Sequence, residues 1–245
     1  MSSPDQWSAS LAPFAITPRE IHVWRARLDC SEIISQRLET TLAPEEIARA
    51  DRFLFPRDRH HFVVARGILR QLLASYLKSS PAALEFAYHP RGKPYLILQP
   101  ADPPLVFNIS HSHDLSLLAF SLGRELGVDV EFVRRDIASE EIAVRYFAPR
   151  EVVELQSLPL AARAEAFFLC WTRKEAYIKA LGDGLQIPLS SFTVSLTPSR
   201  PETLESPDSP NWKLRSLSPA PNYSSAVVGQ GQDWHLRLFD WDSSL

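Results

Sequence analysis

The stretch FFLCWTRKEAYIKALGDGL, residues 167–185, has the spacing of a helix that ends at Gly-Asp-Gly, because glycine commonly stops helices. Trp171, Glu175 and Lys179 recur every four residues, and side chains at that interval share one helix face. A glutamate four residues before a lysine is also a common helix-stabilising pair. The stretch alone therefore leaves two interpretations open, a solvated ion-pair face or a prepared site.

The composition limits the classes of protein to which this chain can belong. With 245 residues, 45% of them hydrophobic, it can form one large domain or two small ones. The formal net charge of -3 argues against a general nucleic-acid binder. Two cysteines, Cys30 and Cys170, make neither a disulfide framework nor a zinc set, which favours a reduced, cytoplasmic protein. We find no signal-peptide pattern and no run of ~20 apolar residues, so we expect neither secretion nor a membrane partner.

The order of predicted elements indicates an α+β fold with two halves, residues 1–124 and 125–245. In the first half, residues 20–29 alternate like a half-buried strand, and residues 57–78 have one apolar helix face. The segments that end the second half alternate like one antiparallel sheet. These segments are residues 211–218, 223–228 and 234–241.

Two further segments of the chain have distinct patterns. Residues 105–123 are expected to form one strand that is interrupted by a polar group of residues, 108–114. The Pro-rich residues 198–210 are expected to form a surface loop. We detect no internal sequence repeat.

The strand pattern GVDVEF, residues 127–132, carries two carboxylates on one side. Residues two apart in a strand face the same way, so Asp129 and Glu131 lie together while the valines face a core. Adjacent carboxylates repel each other unless a cation lies between them. Mg²⁺ takes a few carboxylates and completes its shell with water and substrate phosphates, and Glu175 supplies a third acid. The alternative is a strand edge with two exposed acids.

Basic and polar clusters supply candidates for binding an anion. Residues 49–70 hold six arginines and two histidines against two aspartates, a local excess suited to phosphate because guanidinium groups bind phosphate bidentately. For any single arginine the alternative is a solvated helix face. The polar stretch FNISHSHD, residues 107–114, is costly to bury without partners, which predicts a polar cavity beside it. His111, between Ser110 and Ser112, is a candidate for donating a hydrogen bond to a phosphate there.

Taken together, these motifs resemble a known family. FNISHS, GVDVE and FFLCWTRKEAYIKALGDGL, in this order and spacing, resemble the 4'-phosphopantetheinyl transferases of the Sfp type, with RGKPY as a further match. The stretch RFLFPRDRHHFVVARGILR resembles their cyanobacterial branch. G-x-D-x-E followed roughly forty residues later by W-x-x-K-E-A-x-x-K is a specific combination, and it strongly disfavours a mere ion-pair role for Glu175.

The resemblance implies transfer of the phosphopantetheine arm of coenzyme A to a serine of an apo acyl or peptidyl carrier protein, with release of 3',5'-ADP. It also implies a pseudodimer of two similar α+β halves, with coenzyme A and Mg²⁺, or Mn²⁺ in its place, bound at their junction. The expected metal ligands and catalytic acids are Asp129, Glu131 and Glu175, with Lys179 as a further catalytic residue. The residues expected to bind coenzyme A are Arg52, Arg59, Arg66, Lys93, Ser110, His111, Lys174 and Lys179, and Trp171 is expected to shape the site.

The expected chemistry assigns a task to each charged group. Mg²⁺ and Lys179 offset the negative charge that develops on the departing nucleotide. Glu175 is expected to accept the proton of the attacking serine, directly or through a water. The segment YFAPREVVELQSLP, residues 146–159, is a candidate surface for the carrier protein. The alternative is that its apolar residues belong to the core of this protein. A monomer is expected, because two halves can form the site within one chain.

Two other functions are compatible with the same residues. The three acids and Mg²⁺ suit a hydrolase that cleaves a nucleotide pyrophosphate with water as nucleophile. A catalytically silent coenzyme A binding protein is the other alternative, although such a chain is expected to have lost an acid or the lysine. This chain retains all of them.

Overall fold

A computed structural model describes residues 5–9, 15–90, 92–97, 103–136, 139–182, 187–197 and 201–243. The fold is α+β, as the sequence predicted. The helices are α1 Glu32–Glu39, α2 Pro44–Ala50, α3 Pro56–Leu77, α4 Ser139–Tyr146, α5 Pro149–Ser157 and α6 Leu160–Leu181. The strands are β1 Ser8–Ala9, β2 Glu20–Arg27, β3 Phe86–Tyr88, β4 Pro94–Leu96, β5 Leu105–Ser112, β6 Leu115–Leu122, β7 Leu126–Phe132, β8 Thr193–Val194, β9 Leu204–Glu205, β10 Trp212–Leu217, β11 Tyr223–Gln230 and β12 His235–Asp240. Short 3₁₀ turns lie at Pro81–Ala83, Leu189–Ser191 and Ser209–Asn211.

The larger sheet has the strand order β1-β12-β2-β6-β5. Helix α3 covers one face of this sheet, and Ile68 and Leu72 of α3 share a core with Trp24 and Phe120. The opposite face of β2 packs into a separate core. Strand β2 is therefore buried on both faces, whereas its alternating sequence predicted a half-buried strand. The polar alternation is misleading because its polar members, such as His22, are themselves buried.

The smaller sheet has the strand order β10-β11-β7, antiparallel throughout, and α6 packs against it. Gly127 in β7 allows α6 to approach closely. A Cβ atom at this position would lie 2.2 Å from the carbonyl oxygen of Ala176 and 2.4 Å from the amide nitrogen of Ala180. Only glycine fits such a contact between two backbones, so the first letter of G-x-D-x-E has a packing role.

The two sheets pack against each other through a third core. Ile21 and Val23 from the larger sheet meet Val128, Val130 and Val227 from the smaller one. Strands β5 and β7 run next to each other where the sheets meet. The site described below is built on these two strands because they bring the two halves into contact.

Strand β12 corrects the expected sheet of the second half. Residues 211–218 and 223–228 do pair antiparallel, as β10 and β11. The last segment instead crosses to the larger sheet, where β12 pairs in parallel with β2 and places Phe239 in the first-half core. Alternation along a segment predicts a strand but does not identify its partner. Strand β12 thus crosses the expected boundary between residues 1–124 and 125–245, and that division stays a prediction.

Two local expectations also change. The expected interrupted strand is a hairpin, in which β5 pairs with β6 up to Ser112 and Leu115, and His113 takes the positive φ of 50° that the tight turn requires. Of the expected loop 198–210, residues 198–200 lie outside the described part of the chain. Residues 201–210 include β9, which pairs with β8, and the beginning of a 3₁₀ turn.

The first half contains a buried group of charges that we call the first clamp: Glu46, Arg70 and the turn at residues 81–84. Helix α2 begins with Ala-Pro-Glu-Glu, and the Glu46 carboxylate accepts a hydrogen bond of 2.8 Å from the amide of Ala43. Arg70 of α3 donates to Glu46 at 2.6 Å and to the carbonyl oxygens of Pro81 and Leu84 at 2.7 and 3.2 Å. One buried guanidinium thereby ties α2 and a 3₁₀ turn to α3.

The second half repeats this arrangement as the second clamp: Glu151, Lys174 and the turn at residues 189–192. Helix α5 begins with Ala-Pro-Arg-Glu, and Glu151 accepts a hydrogen bond of 2.9 Å from the amide of Ala148. Lys174 of α6 lies 2.8 Å from Glu151 and donates to the carbonyl oxygens of Leu189 and Phe192 at 2.7 and 2.6 Å. The halves share this pattern although the sequence shows only Ala-Pro-x-Glu in common.

In the described ranges, none of the helices combines the length and the apolar character needed to cross a bilayer.

Candidate active site

A pocket of about 820 Å³ opens where the two halves meet. Its polar lining comes from β5, β7 and α6, and consists of Ser110, His111, Asp129, Glu131, Glu175 and Lys179. Its remaining lining is mostly apolar and consists of Ile109, Tyr146, Trp171, Ile187, Pro188 and Leu189. The spacing of two in the strand and four in the helix thus brings the predicted acids, Lys179 and Trp171 to one pocket.

Polar side chains of β5 join the two strands that form the floor of the site. Asn108 Oδ1 accepts a hydrogen bond from the amide of Val128 at 2.9 Å. Ser112 Oγ accepts one from the amide of Phe132 at 3.1 Å, and Ser110 lies between them on the same side of the strand. The side chains of FNISHS therefore accept hydrogen bonds from backbone amides along this edge of β7, where the backbone of a paired strand would otherwise accept them.

Asp129 is held by two donors and keeps one oxygen without a partner. Its Oδ1 accepts hydrogen bonds from Lys179 Nζ at 2.6 Å and from Ser110 Oγ at 2.8 Å. Its Oδ2 is buried and makes no hydrogen bond. Lys179 also contacts Ser110 Oγ at 3.0 Å and keeps 28% of its side chain exposed. A buried carboxylate oxygen without a partner is costly, and it marks a position where a cation or donor fits.

The other two acids have raised pKa values. Burial raises the pKa of Glu175 to about 7, and the neighbouring Asp129 carboxylate adds to the shift. Burial likewise raises the pKa of Glu131, with a contribution from Asp129, although Ser112 donates to Glu131 at 2.7 Å. Carboxyl groups whose pKa values are raised by a neighbouring carboxylate lie in a field of negative charge, and a metal ion or a cationic group relieves it.

His111 and the aromatic side chains define the rim of the pocket. His111 reaches the surface, yet the surrounding protein desolvates its ring and Lys179 repels its charged form, so the pKa of His111 is lowered. Trp171 stacks on Phe167 at a centroid distance of 5.8 Å and meets Tyr146 edge-on at 6.3 Å. A neutral His111 can donate one hydrogen bond without adding a full charge.

The donor set fits magnesium in its chemistry. Three carboxylates, one with an unpartnered oxygen, are the hard ligands that Mg²⁺ prefers. As the side chains stand, the described residues contain no group of three or more His, Cys, Asp or Glu close enough to hold a metal ion by themselves. An open set of this kind suits an ion that takes further ligands from water and substrate phosphates.

Two residues expected to bind coenzyme A are used inside the protein instead. Lys174 is fully buried in the second clamp, where three acceptors already surround its ammonium group. Arg66 is also buried, donates to Glu46 and lies over the ring of Phe86 at 3.9 Å. Neither cation can reach a ligand without breaking an internal ion pair, so we remove both from the proposed site.

Three other expected contacts lie outside the pocket lining. Arg59 pairs with Glu39 and Asp51. Lys93 follows the β3–β4 turn and pairs with Glu125 at 3.0 Å, close to the start of β7. Arg52 is exposed in the turn after α2. The structure does not bring these three together with the acids, and their role in binding coenzyme A stays a prediction.

Some residues of the site were not expected from the sequence. Ser112 holds Glu131, and Tyr146 and the segment Ile187, Pro188 and Leu189 form the apolar wall. Ser112 has a usable signal, because it lies two residues after Ser110 and so shares its face of the strand. The segment at residues 187–189 has none, since residues outside regular helices and strands carry no periodicity that would place them against a distant helix.

The comparisons with known proteins agree with this geometry. Residues 31–122 match the family model described as 4'-phosphopantetheinyl transferase, N-terminal, and residues 125–235 match that of the 4'-phosphopantetheinyl transferase superfamily. The chain is 41% identical over 222 residues to 4'-phosphopantetheinyl transferase HetI of Nostoc sp., covering 91% of this chain and 92% of that protein. It is 28% identical over 201 residues to 4'-phosphopantetheinyl transferase Sfp of Bacillus subtilis, covering 82% and 87% respectively. The chain belongs to the 4'-phosphopantetheinyl transferase superfamily.

Proposed function

We propose that the pocket between β5, β7 and α6 is where this protein transfers phosphopantetheine from coenzyme A to a carrier protein, with a magnesium ion held by Asp129, Glu131 and Glu175. The activity itself follows from the family, and the chain retains every acid and lysine of the motifs. The observation that supports this site is the convergence of the three acids and Lys179 on one pocket. The family assignment favours transfer over the hydrolase and the silent binding protein.

The polar lining can bind the pyrophosphate of coenzyme A. Bound magnesium would supply positive charge against the pyrophosphate oxygens as negative charge develops there. Lys179 donates to Asp129, Ser110 and the carbonyl oxygen of Val128. Unlike Lys174 it is partly exposed, so it can exchange the longest of these contacts, 3.3 Å to Val128, for a pyrophosphate oxygen. His111 adds a neutral hydrogen-bond donor beside Lys179, whereas Ser110 donates its single hydroxyl proton to Asp129 and so orients that acid.

Glu175 is the residue that we propose as the acceptor of the serine proton. Without a metal ion, burial raises its pKa to about 7, and a bound magnesium would lower that pKa, so that Glu175 is ionised and can accept a proton directly or through a water. Asp129 is less suited to this task because Lys179 and Ser110 already bind its Oδ1. Glu175 lies on α6 one helical turn before Lys179, so the base and the cation reach the pocket from the same helix face.

The carrier protein is expected to approach over residues 146–159. Of this segment, Phe147 and Leu155 belong to the core, so the interpretation as core is right for them. Tyr146 and Val153 are exposed, and Tyr146 also lines the pocket. We propose that these exposed positions face the carrier protein, and that a monomer suffices because both halves contribute to the pocket.

Intact-mass spectrometry tests this function. An apo acyl carrier protein and an apo peptidyl carrier protein are each incubated with this protein, coenzyme A and Mg²⁺. We expect a gain of one phosphopantetheine, roughly 340 Da, that is lost in EDTA and absent when the acceptor serine is replaced by alanine. Release of 3',5'-ADP without any gain of mass by the carrier would favour the hydrolase instead, and intact coenzyme A with both carriers would contradict transfer to either.

A further inference from the structure

The second clamp lies at the pocket, whereas the first clamp does not. The clamped turn begins at Leu189, which lines the pocket together with Ile187 and Pro188. The corresponding turn of the first half, Pro81–Ala83, contributes no residue to that lining. The two clamps therefore differ in one respect: only the turn of the second clamp contributes to the pocket lining. The first clamp can serve folding alone, whereas the second can also shape the site.

Lys174 has no capacity left for a ligand. An ammonium group has three N–H donors, and Lys174 faces three acceptors at 2.6 to 2.8 Å: Leu189 O, Phe192 O and Glu151 Oε2. Glu151 is itself 2% exposed and accepts further hydrogen bonds from the amides of Ala148 and Val194. The ion pair is thus fully internal, and it joins α5, α6 and the backbone of the turn.

The turn contributes Leu189 to the apolar lining of a pocket whose polar lining includes Asp129, Glu131, Glu175 and Lys179. Coenzyme A has the same division, because its nucleotide and pyrophosphate are anionic while its pantetheine arm is uncharged. The anionic part suits Lys179, His111 and a magnesium ion. The uncharged arm is left with Leu189 and its neighbours, which can bind it by apolar contact if the wall stays in place.

We propose that Lys174 is a positioning residue, which with Glu151 holds the wall at Leu189 against the uncharged arm of coenzyme A. This inference rests on the proposed function of the pocket. It gives Lys174, the lysine three positions after Trp171 in W-x-x-K-E, a task different from a phosphate contact, since a buried ammonium group with three protein acceptors binds no phosphate.

The test uses a double variant, Lys174→Met with Glu151→Gln, because removal of one partner alone would leave a buried charge unpaired. Calorimetric titration with Mg²⁺ present measures its affinity for coenzyme A and, separately, for 3',5'-ADP, which lacks the pantetheine arm. We expect coenzyme A to bind about tenfold more weakly than to the unmodified protein, and 3',5'-ADP to bind within about twofold.

The first clamp provides the matched control. Arg70→Met removes the two hydrogen bonds to the carbonyl oxygens of the first-half turn, just as Lys174→Met removes two in the second half. It leaves Glu46 paired with Arg66. We expect this variant to bind both ligands as the unmodified protein does. If the double variant does not fold, Leu189→Ala shortens the wall without disturbing the ion pair and is expected to show the same selective loss for coenzyme A.

Three results would overturn the inference or its basis. Equal weakening of both ligands in the double variant would make Lys174 a phosphate contact. Unchanged affinity for both would show that the clamp does not position the wall. If the unmodified protein bound neither ligand, the proposed function of the pocket would fail, and that outcome is distinguishable from the other two.

Discussion

Helices α3 and α6 are 22 residues long, and each places a buried cation in a clamp, yet of the two only α6 contributes side chains to the lining of the pocket. Counted from Arg70 and Lys174, the positions of Glu175 and Lys179 in α6 correspond to Gln71 and Ser75 in α3. In α3, the Ser75 hydroxyl only donates back to the carbonyl of Gln71 at 3.0 Å. The scaffold is thus repeated while the reactive side chains are not, which separates what stabilises each half from what acts on a substrate.

The largest expected effect is on stability and is the same in both halves. Glu46→Ala leaves Arg66 and Arg70 without their carboxylate, and Glu151→Ala does the same to Lys174. Each change should lower the free energy of unfolding by about 3–5 kcal/mol, measured by urea denaturation, because an unpaired buried charge is costly. Under conditions where both variants remain folded, only Glu151→Ala should also weaken binding of coenzyme A. Loss of binding in Glu46→Ala would show that the two clamps do not differ as we describe.

The next effect is on the rate of transfer and should appear in α6 alone. Glu175→Ala should lower the initial rate of carrier-protein modification by roughly 10²–10³-fold, the loss typical of one charge-stabilising or proton-accepting group. Gln71→Ala, at the corresponding position of α3, should leave the rate within about twofold. Coenzyme A should still bind to Glu175→Ala. Full activity of that variant would remove Glu175 from the mechanism.

Glu175 should also make stability depend on pH. Folding raises its pKa from 4.5 to about 7, so the folded protein keeps a proton that the unfolded chain releases between these values. Stability is therefore lost as the pH rises through this range. In EDTA, Glu175→Gln should be more stable than the unmodified protein by roughly 2 kcal/mol at pH 8.5 and by much less at pH 5.

The control for that measurement is Glu141→Gln, a change at an exposed position of α4 that should leave the pH profile unaltered. If Glu175→Gln were less stable than the unmodified protein at both pH values, burial and the neighbouring carboxylates would not destabilise ionised Glu175 as we describe. Denaturant titrations at the two pH values, with the slope of unfolding compared between variants, provide the readout.

The smallest expected effect is on stability, and it compares two glycines that pack closely against a neighbouring helix. Gly127→Ala places a Cβ atom against the backbone of α6, which cannot move without shifting the helix, and should cost about 1–3 kcal/mol. Gly67→Ala in α3 meets the Cβ atom of Leu38 at 2.6 Å and the carbonyl oxygen of Leu38 at 3.1 Å, and should cost less because these contacts are longer and the eight-residue helix α1 can shift more easily than α6. Unfolding curves that rank the two variants in the opposite order would contradict this distinction.

The sequence predicted the α+β class and the faces on which the candidate site residues lie, but not which strands pair. Asp129 and Glu131 share a face because strand periodicity is strict, and Glu175 and Lys179 share one because helix periodicity is. The identity of the partners across space is not encoded in such local patterns. For this reason β12 was expected in the wrong sheet, and no residue of the wall at Leu189 was foreseen.

Local sequence patterns also do not show which charged side chains are buried. Lys174 and Arg66 lie in segments rich in functional residues, and a cation there was expected to bind phosphate. Both have buried glutamate partners more than 15 residues away in sequence, Glu151 and Glu46. Only the tertiary structure shows which charge is already neutralised inside the protein.

The course of strand β12 bears on how the chain acquires its structure during synthesis. Residues 235–240 lie between β1 and β2 in the sheet of the first half. Until the ribosome has released this segment, β2 lacks one neighbour and exposes a free edge, however long ago its own residues emerged. The larger sheet is thus begun early in synthesis and completed only when β12 joins it. We therefore expect the two halves to become stable as one cooperative unit.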